Sequence, residues 1–231
     1  MSKVNSLIWI ILLSAGCSFF ELQTTQQELP VVQFDETSVS ANGSSKVSIK
    51  VVTKNPVSGQ MSLSISTTNG KLFTFPLTGS GASSLTLVPN STSVSFLLKS
   101  SLIPDDNVII STKVGNLVQT SKLQFQRSCP DEIQPYLDRT DLSIENDDVG
   151  NLTLIFLRND EKKVSSGTRV DLSISDSFSS ITQTVFSDSL GTAIAQIKPL
   201  EAGVSTIKMK VVNIGCDASI TAPDLKINIK N

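Results

Sequence analysis

The sequence predicts an all-β protein with two tandem β-sandwich domains. Apolar residues alternate with Ser and Thr at a period of two along most of the chain, and turn-forming dipeptides separate the alternating runs. No segment carries a sustained helical stripe of apolar residues. Short strands with one apolar face each bury that face by packing as pairs of sheets, which favours sandwiches.

In the first half, alternating runs predict a set of strands separated by turns. The runs cover 47–52, 61–66, 84–88, 93–98, 108–114 and 117–125. Between them lie Asn42-Gly43, Asn69-Gly70 and Pro104-Asp105, which have the chemistry of tight turns. Each run is long enough for one half-buried strand, so the first half predicts one complete sandwich.

The second half repeats this design. Its alternating runs cover 151–157, 169–175, 181–186, 192–197, 205–212 and 225–229. Val57–Ser66 parallels Val164–Ser175, because both place a Gly turn before an alternating strand. The pair of runs 94–99 and 108–114 likewise parallels the pair 193–198 and 204–211. The chain therefore contains a two-copy internal repeat.

The repeat and the changes of composition give domain boundaries. We predict a signal peptide at 1–16, a flexible tether at 17–30, a first domain at 31–127 and a second domain at 128–231. The tether is rich in Gln and Thr and poor in apolar residues. The junction at 127–141 contains Pro130 and Pro135, which limit its flexibility.

The N-terminal segment has the pattern of an export signal. Lys3 precedes an apolar run at 7–13, and the small residues 14–16 precede Cys17. This resembles the signal peptide of bacterial lipoproteins, in which the cysteine thiol receives a diacylglyceryl group before cleavage. Ser14 stands where that family usually has Leu, so an ordinary secretory signal is the alternative. We predict lipidation at Cys17, and the absence of Asp at position 18 favours the outer membrane.

The amino-acid composition excludes most kinds of catalytic site. The chain has 0 His, which excludes Ser-His-Asp and Cys-His nucleophile pairs and every His-based metal site. Its formal net charge is −2 and no basic run occurs, so we expect no nucleic-acid partner. The only Tyr is Tyr136 and the only Trp is Trp9, which leaves few aromatics for a sugar-binding surface. Chemistry based on carboxylates alone remains formally open, but we predict no enzyme and no cofactor.

Two cysteines remain beyond the predicted lipid site. Cys129 and Cys216 form an even pair in a chain that we expect to be exported into an oxidising compartment. We predict a disulfide between them, and the alternative is two free buried thiols. Such a bridge would constrain the unfolded chain by about 4–5 kcal/mol on the loop-entropy account.

The second repeat resembles the bacterial immunoglobulin-like domains of the invasin/intimin type. Its segment 187–193, Ser-Asp-Ser-Leu-Gly-Thr-Ala, matches the central signature of that family, and 201–207 matches the closing turn. We expect Asp188 to cap its turn, Gly191 to adopt positive φ and Gly203 to lie in the closing turn. The first repeat is more divergent. The resemblance implies immunoglobulin-like sandwiches of the kind that serve as stalk and display modules in surface proteins.

Two further groups of residues are candidates for binding. Glu145, Asp147 and Asp148 cluster in one segment, as in a calcium loop, although we favour a solvated turn and predict no metal site. Phe73 and Phe75 lie two residues apart on one face of a strand and, with Leu77, are compatible with an exposed apolar patch. Core packing is the interpretation of these Phe residues that we favour.

These observations predict a function that involves no catalysis. We expect a membrane-anchored, non-enzymatic lipoprotein of the bacterial cell envelope that acts as a spacer and protein-binding module. Its partners would be the membrane, through the lipid, and one or more proteins, with no small-molecule substrate. The alternatives are a surface-displayed adhesin and a periplasmic accessory subunit of a secretion, pilus or envelope complex.

Overall fold

A computed structural model describes residues 28–57, 62–74, 79–88, 91–176, 179–211, 216, 220 and 222–231. The first group of strands is β1 (Val31–Phe34), β2 (Ser38–Ser40), β3 (Lys46–Val57), β4 (Leu63–Thr67), β5 (Lys71–Thr74), β6 (Ser84–Leu87), β7 (Ser91–Lys99), β8 (Asp105–Val114) and β9 (Leu117–Gln126). The second group is β10 (Glu132–Leu137), β11 (Asp141–Ser143), β12 (Gly150–Leu157), β13 (Arg169–Asp176), β14 (Ser179–Phe186), β15 (Thr192–Ile197), β16 (Gly203–Val211) and β17 (Leu225–Lys230). The all-β prediction is confirmed.

The strands form four sheets, two in each half of the chain. The first sandwich contains a four-stranded sheet, β1-β3-β7-β5, and a five-stranded sheet, β2-β9-β8-β4-β6. The second contains a three-stranded sheet, β10-β12-β15, and a five-stranded sheet, β11-β17-β16-β13-β14. The two orders correspond strand for strand, except that no strand among the described residues of the second sandwich corresponds to β5. The segments that the sequence aligns therefore lie on equivalent strands, β4 with β13, and β7-β8 with β15-β16.

Alternation along the strands places a separate apolar core in each sandwich. In β4, Leu63 and Ile65 are buried and Ser64 and Ser66 are partly exposed, as a period of two requires. The fully buried side chains of the first core include Ile49, Phe96 and Phe125. The second core includes the buried residues Ile133, Leu142, Leu152, Leu154, Phe156, Val170, Leu172, Ile207, Met209, Ile227 and Ile229.

One polar residue interrupts the first core. Thr112 lies on the inward face of β8, opposite Ile65 of β4, and is completely buried. Within the described residues its hydroxyl has no hydrogen-bond partner. Taking a hydroxyl out of water without a partner costs free energy, so this position lowers the stability of the sandwich.

The junction contains a strand that the sequence analysis does not predict. Residues 132–137 were expected to belong to a stiff connection, but they form β10, which pairs antiparallel with β12. Pro135 lies within this strand, opposite Leu154. The strand tolerates Pro because β10 is at the edge of its sheet, where one row of N–H groups needs no partner.

Candidate functional site

The contact between the two sandwiches is organised around Ser165, in the loop between β12 and β13. Ser165 is completely buried. Its Oγ donates to the carbonyl oxygen of Ala41 at 2.7 Å and accepts from the N–H of Ser128 at 2.7 Å. Its backbone N–H donates to the carbonyl oxygen of Ser128 at 2.9 Å. One serine thus joins the end of the first sandwich to the segment that leads into the second.

The adjacent residue adds a second connection. The N–H and the Oγ of Ser166 both donate to the carbonyl oxygen of Leu102, at 2.9 and 3.3 Å. Leu102 lies between β7 and β8 of the first sandwich. The Arg127 guanidinium donates to the carbonyl oxygen of Ser166 at 3.4 Å. Two loops of the first sandwich therefore contact one loop of the second.

Hydrogen bonds to the second sandwich hold this loop in place. The hydroxyls of Thr168 and Ser187 each donate to the carbonyl oxygen of Ser165, both at 2.9 Å. Both side chains are buried. Because Ser165 is bonded on both sides and buried, this part of the loop is held firmly at the junction.

The disulfide lies on the same side of the second sandwich. Cys129 and Cys216 are bonded, with a Cα–Cα distance of 5.5 Å, and they enclose a sequence separation of 87. Arg158 donates to the carbonyl oxygen of Cys129 at 3.0 Å and forms a two-bond pair with the carboxylate of Asp160. This guanidinium holds the pKa of Asp160 well below its usual range. The bridge, the arginine and the Ser165 loop together fix the entry into the second sandwich.

The turn between β14 and β15 has Asp188 at its start. One carboxylate oxygen accepts from the N–H groups of Leu190 and Thr192, at 2.8 and 2.9 Å, and the other accepts from the Thr192 hydroxyl at 3.0 Å. The Thr192 N–H is the main reason that the pKa of Asp188 is lowered. Gly191 has a φ of 79°, and Gly203 opens β16 with a φ of 151°. Asp188 and Gly191 therefore stabilise this turn.

The acidic segment after β11 does not form one cluster. Asp148 accepts from the N–H of Ser143 at 2.9 Å, and Asp147 pairs with Lys198 at 2.7 Å. Glu145 is exposed. Among the residues that the structure describes, no three His, Cys, Asp or Glu side chains are placed to hold a metal ion. Asp147 and Asp148 therefore have different partners.

Phe73 is covered by a neighbouring segment of its own sandwich. Its side chain is 7% exposed, and a Cβ added to Gly81 would lie 2.5 Å from the Phe73 ring. Leu72 and Ala82 exchange two backbone hydrogen bonds, which hold the covering segment against β5. Phe75 and Leu77 lie outside the described residues, so Phe73 alone supplies no exposed patch.

The proposed lipid site lies outside the part of the chain that the structure describes. Cys17, the signal peptide and the tether up to residue 27 lie outside the described residues. Within the described ranges, no helix has the length and apolar composition needed to span a membrane.

The junction residues carry little signal in the sequence. Ser165 and Ser166 precede a Gly in a polar run, and this pattern predicts no more than a turn. Their role depends on Ala41 and Leu102, which are more than 60 residues away and carry no polar side chain. A backbone carbonyl that accepts a long-range bond leaves no mark in the amino-acid pattern.

Comparison with solved structures shows that this pair of sandwiches shares its fold with two bacterial proteins that are built from immunoglobulin-like domains. The adhesin InvE of Yersinia pseudotuberculosis matches with a TM-score of 0.57 and 15% identity, over 87% of this chain and 58% of that chain. Invasin, described as a bacterial integrin-binding protein, matches with a TM-score of 0.54 and 16% identity, over 87% of this chain and 39% of its own.

These matches show the fold alone, and this chain spans less than two thirds of either protein. No family model and no curated protein matches the sequence. The expectation of invasin-like immunoglobulin domains is confirmed at the level of the fold. The binding described for a matched protein is a property of that protein.

Proposed function

We propose that this protein is a non-enzymatic lipoprotein of the bacterial cell envelope, anchored through Cys17, that acts as a spacer and protein-binding module. In this proposal, residues 1–16 are removed, 17–30 form the tether, and the domains 31–127 and 128–231 project from the membrane. The outer membrane is the site that the residue after Cys17 favours.

The observation that carries the proposal is the bonded junction. A spacer must transmit position, so its domains must not swing freely about their connection. Ser165 and Ser166 bond to two separate loops of the first sandwich. The disulfide to Cys216 holds Cys129, which lies in the segment that leads into the second sandwich. Contacts between domains of one chain are usually small and permit motion, so a buried hydrogen-bond network at this place favours a rigid tandem.

The absence of His from the whole sequence supports a role without catalysis. Several acidic residues are already occupied in turns and ion pairs, as Asp148, Asp160 and Asp188 illustrate. Their pKa values, where shifted, are lowered, which keeps them ionised and unsuited to general-acid work.

The anchor is tested by the intact mass of protein extracted from membranes. We expect a triacylated species that begins at Cys17, and a Cys17→Ala variant that leaves the membrane fraction. The matched control is the double variant Cys129→Ala/Cys216→Ala, which removes two cysteines but retains the lipid site. A wild-type mass without lipid would overturn the anchor, and with it the proposed function.

A surface-displayed adhesin is the second candidate, and the shared fold favours it. InvE is described as an adhesin and invasin as integrin-binding. External protease on intact cells separates the candidates. Loss of the protein would support surface display, whereas protection would support a part that faces the periplasm. A lysed-cell sample must be cleaved in either case, which shows that the chain itself is susceptible.

A further inference from the structure

Three lysines lie side by side on the outer surface of the four-stranded sheet. The strand register places Lys46 of β3 opposite Lys99 of β7, and Lys99 opposite Lys71 of β5. Directly opposite residues in antiparallel strands point to the same face, with Cβ atoms about 5 Å apart. The three side chains, which we call the lysine row, therefore cover about 10 Å across three strands.

The lysine row faces away from the core. Val47 and Leu98, which neighbour Lys46 and Lys99 in sequence, are completely buried, so the alternate positions point outward. Among the described residues, none of the three lysines forms an ion pair. Three ammonium groups thus share one surface with no carboxylate bound to them.

Fold stability does not account for the lysine row. Like charges that lie directly opposite one another on a sheet are destabilising. Lysine on an edge strand guards against unwanted strand pairing, which is a reason for Lys71 on β5. It is no reason for Lys99, because at that position β7 pairs with β3 on one side and with β5 on the other.

A cavity of about 530 Å³ opens beside the lysine row, and Lys71 and Lys99 line it. Several polar groups in its wall are already bonded within the protein. The Thr67 hydroxyl donates to the carbonyl oxygen of Asn69, and the Thr68 hydroxyl accepts from the Ile109 N–H. What the cavity offers to a ligand is therefore mainly apolar surface and two ammonium groups.

The other end of the lysine row also adjoins a cavity. Lys46 and Lys162 line a second space of about 400 Å³, together with Glu36. Glu36 is the single carboxylate among the described residues that line either cavity. Lys162 is paired with Asp160 at 3.6 Å, so the surplus of positive charge lies at the cavity that Lys71 and Lys99 line.

We infer that the lysine row binds an acidic segment of a partner polypeptide, one of whose apolar side chains enters the cavity beside Lys71 and Lys99. This inference rests on the protein-binding role proposed above and specifies its partner. The partner's carboxylates replace repulsion between the lysines with ion pairs. A membrane surface fits less well, because anionic lipids attract larger basic clusters of about four to eight residues and do not fill a cavity.

The test uses the full chain and a labelled peptide in which Glu and Leu alternate. We expect the Lys71→Gln/Lys99→Gln variant to bind this peptide at least about tenfold more weakly than the wild type, and added salt to weaken wild-type binding. Lys226→Gln is the matched control, since Lys226 is an exposed strand lysine on the second sandwich. The melting temperature of the double variant should be equal to or higher than that of the wild type, because like-charge repulsion is removed.

Three results would overturn the inference. The first is equal binding of the peptide by the wild type and the double variant. The second is equal binding of a peptide in which Gln replaces each Glu. The third is binding to vesicles of anionic lipid with no binding to the peptide, which would assign the lysine row to a membrane.

Different results would overturn the inference about the lysine row and the proposed function. A partner cross-linked in cells by the wild type and equally by the double variant would support a protein-binding module and overturn the lysine row as its site. Loss of lipid at Cys17 would overturn the anchored spacer while leaving the peptide measurement unaffected.

Discussion

Asp188 stabilises the turn between β14 and β15 with both carboxylate oxygens. Replacing it with Ala removes acceptors for the N–H groups of Leu190 and Thr192. By analogy with capping residues, we expect a loss of about 1–2 kcal/mol in the free energy of unfolding, measured by chemical denaturation. Asp106→Ala is the control, because among the described residues the exposed Asp106 carboxylate accepts only from the partly exposed Gln124 side chain. Equal effects of the two variants would contradict a special role for Asp188.

The same carboxylate predicts a pH dependence. Its folded-state pKa is lowered, chiefly by the Thr192 N–H. Its stabilising contribution is therefore complete above the ordinary Asp pKa of about 3.9 and disappears as the pH falls through the lower folded value. We expect the difference in unfolding free energy between wild type and Asp188→Asn to be largest near neutral pH and to shrink in acid. A difference that stays constant down to the acid transition would exclude this linkage.

Thr112 predicts a stabilising substitution. Its buried hydroxyl has no partner within the described residues, and Val has nearly the same shape without the polar atom. We expect Thr112→Val to raise the free energy of unfolding by about 1 kcal/mol, read from urea denaturation. Thr112→Ser keeps the hydroxyl and loses a methyl group, so it should be less stable than the wild type. A neutral or destabilised Val variant would mean that the hydroxyl is satisfied in solution.

Among the structural elements, the disulfide connects the segment before β10 to the segment between β16 and β17. We expect Cys129→Ala/Cys216→Ala to destabilise the protein by about 2–5 kcal/mol, because the sequence separation of 87 gives a long closed loop. Thermal unfolding with and without reductant measures this. Reductant should lower the melting temperature of the wild type and leave that of the variant unchanged. Identical melting of oxidised and reduced wild type would contradict a stabilising bridge.

Strand length decides which elements can be predicted from the sequence. Every alternating run of five or more residues corresponds to a strand, from β3 at Lys46–Val57 to β17 at Leu225–Lys230. The short strands β2 and β11 span three residues each, too few to establish a period of two. β10 escapes prediction for another reason, since Pro135 indicates a connection unless its place at a sheet edge is known.

The candidate sites also differ in whether they can be predicted from the sequence. Cys129 and Cys216 can be paired from the sequence because they are the only cysteines left after the lipid site. Asp188 is recognisable because its partners lie within four residues. The lysine row depends on the register of three strands, and Ser165 depends on distant carbonyl groups. Neither arrangement can be derived until the strands have been placed side by side.

For the whole molecule, Ser165 predicts how the two sandwiches are coupled. Ser165→Ala leaves the Ser128 N–H and the Ala41 carbonyl oxygen without their buried partner. We expect a loss of about 1–3 kcal/mol and faster amide hydrogen exchange on both sides of the junction. Ser84→Ala, at an exposed position of β6, should change neither. Faster exchange on only one side would mean that Ser165 stabilises a loop without coupling the domains.

The parallel strand pairs have a mechanical consequence. β2 lies parallel to β9, and β11 lies parallel to β17, so each sandwich has its early strand beside its last. In the first sandwich, tension between the two ends slides β2 and β9 along each other, and every hydrogen bond of that ladder carries the load at once. In the second sandwich the Cys129–Cys216 bond also gives the force a covalent route past β10 to β16. While that bond is intact, those strands bear no pull, and a tethered protein under flow or contact would keep most of its second sandwich folded.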